Sequence, residues 1–196
     1  MRFLIGEHDC KVTERAERLA KIMWDVAPTK VTTNLWGARW LKLSVNCMAN
    51  GLAGLSGLGS AEVRTRDGVR RVAIHLAAET IKVGRARGHE AEPIWGITAQ
   101  RFVDASEDRA MADVERDMAE RAKELTAGRP SLLQDVMRGR RTEVQYLNGY
   151  VSEQGRQVSV PTPFNNKVVE LITRVPPGTL KPDPKNLEPL VAMLPR

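Results

Sequence analysis

Lys42, Asn46 and Asn50 recur at steps of four within "WGARWLKLSVNCMAN" (residues 36–50), whose other positions include Trp36, Trp40, Leu41, Leu43, Val45 and Met48. A step of four along an α-helix turns the side chain by about 40°, so the three form one slowly drifting row on one face. An ammonium beside two carboxamides offers donors and acceptors suited to a hydroxyl or a carboxylate. A lysine on so apolar a helix must reach outward, pair with an anion or face a polar cavity. Periodicity alone leaves two readings open: an exposed polar stripe with the tryptophans packed below, or a binding site.

A second set of reactive side chains lies in "RPSLLQDVMRGRRTEVQYLNGY" (129–150), with Ser131 at a helix start and Glu143 between basic and apolar residues. The amides from Gly128 to Ser131 can receive an anion if a helix opens there. One straight helix would put Ser131 and Glu143 roughly 18 Å apart. They would then touch opposite ends of a ligand, unless Gly139 folds the chain back. The alternative is that Ser131 only caps a helix and Glu143 only answers Arg140 or Arg141.

Other patterns carry less. "GLAGLSGLGSAE" (51–62) is glycine-rich but contains no GxGxxG and follows a helix, so it reads as a helix end or as small residues for close packing. His8, His75 and His89 are scattered, with no Ser–His–Asp or Cys–His arrangement, and are expected in loops or at the surface. His8 and Cys10 are close but lack companions for a metal.

The elements that must position these residues fall into two parts. "RFLIG" reads as a short strand closed by Gly6, "TERAERLAKIMWDVA" as a helix capped by Thr13, and "TKVTTN" as a second strand. This strand–helix–strand grammar over residues 1–33 belongs to an α/β sheet, and so few strands leave open edges. From Asn34 onward the chain reads as almost all helical. The expected helices run from Asn34 toward the glycines, from Ser60 or Ala61 to near Gly88, and over 97–105 and 107–126. Others follow from Pro130, through "TEVQYLNGYVSEQG", after Pro163, and over 186–194. The expected fold class is therefore mainly α, a helical bundle preceded by a β-α-β remnant, with 1–33 and 34–196 as the two units.

The 196 residues suffice for one substantial core, with 42% hydrophobic and 28% charged residues. No apolar run approaches the ~18 residues of a membrane span, and "MRFLIGEHDC" is too short and too soon acidic for a secretory signal. Two cysteines form no framework, which suits reduced thiols in a cytoplasmic protein. The formal net charge of +6 favours anionic ligands. Its sources, residues 64–71, 84–88 and 138–141, are interspersed with Asp and Glu and have no stacking aromatics nearby. They read as solvated helix faces, so no nucleic-acid partner is expected.

The order and spacing of "RWLKLSVNCMAN", "PSLLQDVMRGRRTEVQYLNGYV" and "VPTPFNNKVVELI", with the ending "LKPDPKNLEPL", resemble the C-terminal half of ketopantoate (2-dehydropantoate 2-) reductases. The resemblance covers nearly the whole chain, with 1–33 matching the end of the family's NADP-binding Rossmann domain. It implies a helical domain of the 6-phosphogluconate dehydrogenase C-terminal type and NADPH-dependent reduction of ketopantoate to pantoate, a step of coenzyme A biosynthesis. By resemblance, Lys42 matches the proton donor to the carbonyl oxygen, and Asn46, Asn50 and Ser131 match substrate-binding residues. Glu143 matches the acidic residue on the nicotinamide side of the cofactor. Ser60 and Gly128 stand where the family has asparagines, which bears on the substrate's side chain more than on the 2-oxo acid class.

No GxGxxG loop occurs in these residues, so the chain alone is expected to bind little NADPH and to be inactive. A missing Rossmann domain or self-association through the helical domain would supply its partner. The alternatives are a reductase half for another 2-oxo acid and a non-enzymatic helical dimerisation or interaction module.

Overall fold

The computed structural model describes residues 3–123 and 128–195. Strand β1 (Phe3–Ile5) pairs in parallel with β2 (Thr29–Val31), Phe3 opposite Thr29 and Ile5 opposite Val31. Helix α1 (Glu14–Trp24) crosses between them, since a parallel pair needs a long crossover. The Thr13 hydroxyl accepts the Ala16 N–H, and Glu14 and Glu17 sit in the positive first turn. α1 buries only Ala16.

The molecule is built around α2 (Leu35–Ser56), which starts where Asn34 accepts the Gly37 N–H at 3.0 Å. Its first half is half-buried, whereas from Cys47 to Ser56 every residue is buried. A helix that is apolar on all sides belongs in the centre of a bundle. Against it lies α4 (Val69–Ala86), with Val72, Ile74, Leu76 and Ile81 essentially inaccessible. The small residues of "GLAGLSG" serve close packing, as expected: Gly51 faces Val168, and Gly54 faces Leu132, where a Cβ would overlap the leucine side chain.

The second long helix expected from Ser60 is broken. α3 (Ser60–Thr65) ends at Arg66, and α4 begins only after Gly68 at φ +73°. The Asp67–Gly68 pair makes a turn that a continuous helix cannot accommodate, because a left-handed residue interrupts the i→i+4 ladder. α5 (Ala99–Ser106) and α6 (Met111–Ala122) follow. The part of the 107–126 helix beyond Lys123 lies outside the described residues up to Gly128. α7 (Ser131–Met137) is short.

The helix expected through "TEVQYLNGYVSEQG" is a 3-10 turn (Val144–Tyr146), a kink at Leu147 (φ −110°, ψ −96°), and then α8 (Asn148–Gln157). α9 (Pro163–Thr173) opens on Pro163, and the last helical segment is another 3-10 turn (Pro184–Leu187) continued by α10 (Glu188–Val191). No helix among the described residues is long and apolar enough to cross a membrane.

Candidate functional site

The polar row on α2 is graded in depth. Lys42 is exposed and, among the described residues, makes no hydrogen bond or ion pair; Asn46 is half-buried; Asn50 is 7% exposed. The gradient follows the helix itself, which starts at the rim and runs into the core. Of the options open to a lysine on an apolar helix, Lys42 reaches outward.

At the deep end the two separate motifs meet. Asn50 Nδ2 lies 3.5 Å from Ser131 Oγ, and that hydroxyl donates to Glu143 Oε1 at 2.8 Å. Ser131 and Glu143 therefore do not stand at opposite ends of a helix. α7 stops at Met137, Gly139 takes φ +64°, and the chain doubles back to bring the carboxylate onto the hydroxyl. Neither alternative role holds, because Ser131 gives no side-chain cap to α7 and Glu143 bonds Ser131 rather than an arginine. Lys42 and Asn46 do not touch this trio; Lys42 lies about two helical turns, roughly 12 Å, along α2 from Asn50.

Beneath the row runs a buried network that the sequence reading missed. Asn148, the first residue of α8, donates to the Cys47 carbonyl at 3.3 Å and to Asn165 Oδ1 at 2.9 Å. Glu79 of α4 accepts the Phe164 N–H, the Asn165 N–H and Asn165 Nδ2 at 2.7–2.9 Å, so a carboxylate caps the start of α9. Burial pushes the Glu79 carboxyl up to about 7, while those N–H donors pull it back toward ionisation. The network fixes α2 between Asn46 and Asn50. A weaker signal was present: Glu79, Asn148 and Asn165 are polar residues set among apolar ones in "HLAAET", "QYLNGYV" and "TPFNNKVV", without the spaced row that marks α2.

Several other expectations resolve here. His75 is not at the surface: it is 7% exposed in α4 and stacks on Phe164 at 4.6 Å, and burial lowers its pKa. His89 stacks on Trp36 at 5.3 Å. Cys47 is buried, and burial pushes its thiol up to about 12, so it packs as a neutral side chain. No cluster of three metal-ligating side chains occurs among the described residues. Two of the basic segments are drawn into ion pairs, Arg70 and Arg71 with Glu115, and Arg85 with Glu90. Arg138, Arg140 and Arg141 have no carboxylate partner among the described residues.

Fold and site together define a helical domain with a polar row on its central helix, entered through a parallel strand–helix–strand unit. Within that class the chain belongs to the family "Ketopantoate reductase PanE/ApbA C terminal", whose model matches residues 34–175. It is 27% identical over 175 residues to a 2-dehydropantoate 2-reductase of Archaeoglobus fulgidus, covering 89% of this chain and 52% of that relative. Among solved structures it is similar to the PanE/ApbA family ketopantoate reductase of Ralstonia eutropha JMP134. That match has a TM-score of 0.62 at 28% identity and covers 81% of this chain and 47% of the other. The 2-dehydropantoate 2-reductase of Geobacter metallireducens GS-15 shares the fold, with a TM-score of 0.70 at 22% identity and 88% and 52% of the two chains covered. The chain thus spans about half the length of the relatives it matches.

Proposed function

We propose that this chain is the substrate-binding and proton-donating half of an NADPH-dependent 2-oxo acid reductase, with ketopantoate as substrate and pantoate as product. Residues 34–196 form the helical substrate domain, and 1–33 are the end of a cofactor-binding Rossmann domain. The observation that carries the reading is the meeting of Asn50, Ser131 and Glu143 at the foot of the row that begins with Lys42. The relatives' names supply the reaction.

A reduced nicotinamide would supply the hydride. Among the described residues Glu143 would meet that end of the dinucleotide, while β1 runs into the Gly6–Thr13 loop without a glycine-rich turn for a pyrophosphate. The exposed Lys42 ammonium, unpaired within the described chain, donates a proton to the substrate's carbonyl oxygen and stabilises the charge developing there. Asn46 and Asn50 hold the substrate along the helix, and the Ser131 hydroxyl, oriented by Glu143, receives its polar end. The net positive charge of the chain favours an anionic substrate.

Lys42→Ala in the protein joined to its cofactor domain is expected to lower kcat for ketopantoate by roughly a hundred- to ten-thousand-fold, the usual contribution of a general acid. Near-normal turnover would remove Lys42 from this role.

A second reading, a non-enzymatic interaction module, draws on one observation. Leu19, Ile22, Trp24 and Val26 present a largely exposed apolar surface on and beside α1. In the reductase reading the same surface is where the rest of the Rossmann domain packs.

A further inference from the structure

A concave site lies behind the segment that carries Glu143, and none of Lys42, Asn46, Asn50, Ser131 or Glu143 lines it. It is a cavity of about 240 Å³ between the Gly139 turn, the end of α9 and the linker at 175–180. Arg140 and Arg141 stand at its wall with Thr142 and Thr173. Its remaining surface is mostly apolar, including Val144, Ile172 and Leu180, and no Asp or Glu lines it. Some arginines elsewhere are answered by carboxylates, as Arg70 is by Glu115 and Arg101 by Asp117, while Arg39 and Arg64 lie over tryptophan rings instead. Here two guanidiniums are left without one.

We infer that this cavity is a binding site for a small organic carboxylate, with the carboxylate on Arg140 and Arg141 and a compact branched apolar body against Val144, Ile172 and Leu180. Planar guanidiniums match a carboxylate fork in geometry as well as charge. The apolar wall adds the burial energy that an inorganic anion cannot gain. The volume lies below the roughly 300 Å³ at which drug-sized sites begin, so a metabolite of a few carbons is the fitting size. Thr142 and Val144 flank Glu143, so occupancy of the cavity is felt on both sides of the carboxylate that orients Ser131. The inference does not depend on the reductase reading, because it concerns binding by this chain alone.

The test is a two-dimensional amide NMR titration of the 196-residue chain with isovalerate, with inorganic phosphate and isoamyl alcohol as the head-only and body-only probes. Saturable shifts at Thr142, Val144, Gln145 and Thr173 are expected with isovalerate, and at least tenfold weaker binding of the other two. The double substitution Arg140→Gln/Arg141→Gln should raise the apparent Kd for isovalerate at least tenfold with the spectrum otherwise unchanged. Thr173→Phe, at an exposed position, should block the cavity. The inference is overturned by non-saturable shifts, by equal binding of either control probe, by unchanged affinity in the double variant, or by shifts centred on Asn46 and Asn50 instead.

Discussion

Lys42, Asn46 and Asn50 differ in what surrounds them more than in what they are. The same helix face holds an exposed ammonium at one end and a buried carboxamide at the other. This row was legible because a polar residue in an apolar run costs free energy unless it has work or a partner. Glu79, Asn148 and Asn165 obey the same logic and were overlooked, because none belongs to a polar row at helical spacing and their contacts join residues 17 to 86 positions apart. Glu79 also gives the chain a pH dependence. Its carboxyl is raised by burial from 4.5 to about 7 in the folded state. The unfolded chain therefore releases this proton first as pH rises, and stability falls from pH 4.5 until the folded group ionises near pH 7. The loss is at most about 3 kcal/mol. His75, lowered by burial, works in the opposite direction, so the comparison must be with a variant. Thermal unfolding of Glu79→Gln between pH 5 and 8 should show a Tm below the parent's by a margin that narrows as pH rises toward 7. A parallel profile would place the pH dependence elsewhere.

At the scale of elements, strand and helix identities followed from periodicity and capping, and of the breaks only the one at Gly139 did. Thr13, Asn34 and Pro163 open helices where their chemistry says they should. Gly68 and Leu147 interrupt what reads as continuous helix, since a break is decided by which faces must be buried on either side. The Gly139 turn matters most, because it alone brings Glu143 to Ser131. A Cβ there meets nothing closer than 3.5 Å, so Gly139→Ala is not blocked sterically but must adopt φ +64°. We expect it to lower unfolding stability by about 1 kcal/mol, read as a smaller denaturant midpoint at unchanged m-value. A variant as stable as the parent would mean that the turn relaxes to another conformation.

For the molecule as a whole, burial is uneven. The helical part has a contiguous core from Trp40 to Leu190, while the N-terminal unit offers two strands and an apolar outer surface. Open parallel strands and exposed Ile22, Trp24 and Val26 favour association. Light scattering is expected to give a mass above 21.8 kDa that grows with concentration; a clean monomer would argue that this surface is tolerated in water.

The single buried residue of α1 has a kinetic corollary. Holding Phe3–Ile5 to Thr29–Val31 closes a loop of more than twenty residues for a ladder of three pairs, with one alanine as the interior contact of the crossing helix. Such a unit opens on its own, long before the α2–α4 core yields. Amide hydrogens of β1, α1 and β2 should therefore exchange through a low-energy local opening, and those of Met48 to Leu55 only on global unfolding. Equal protection of the two regions in dilute solution would show that the N-terminal unit and the bundle melt as one.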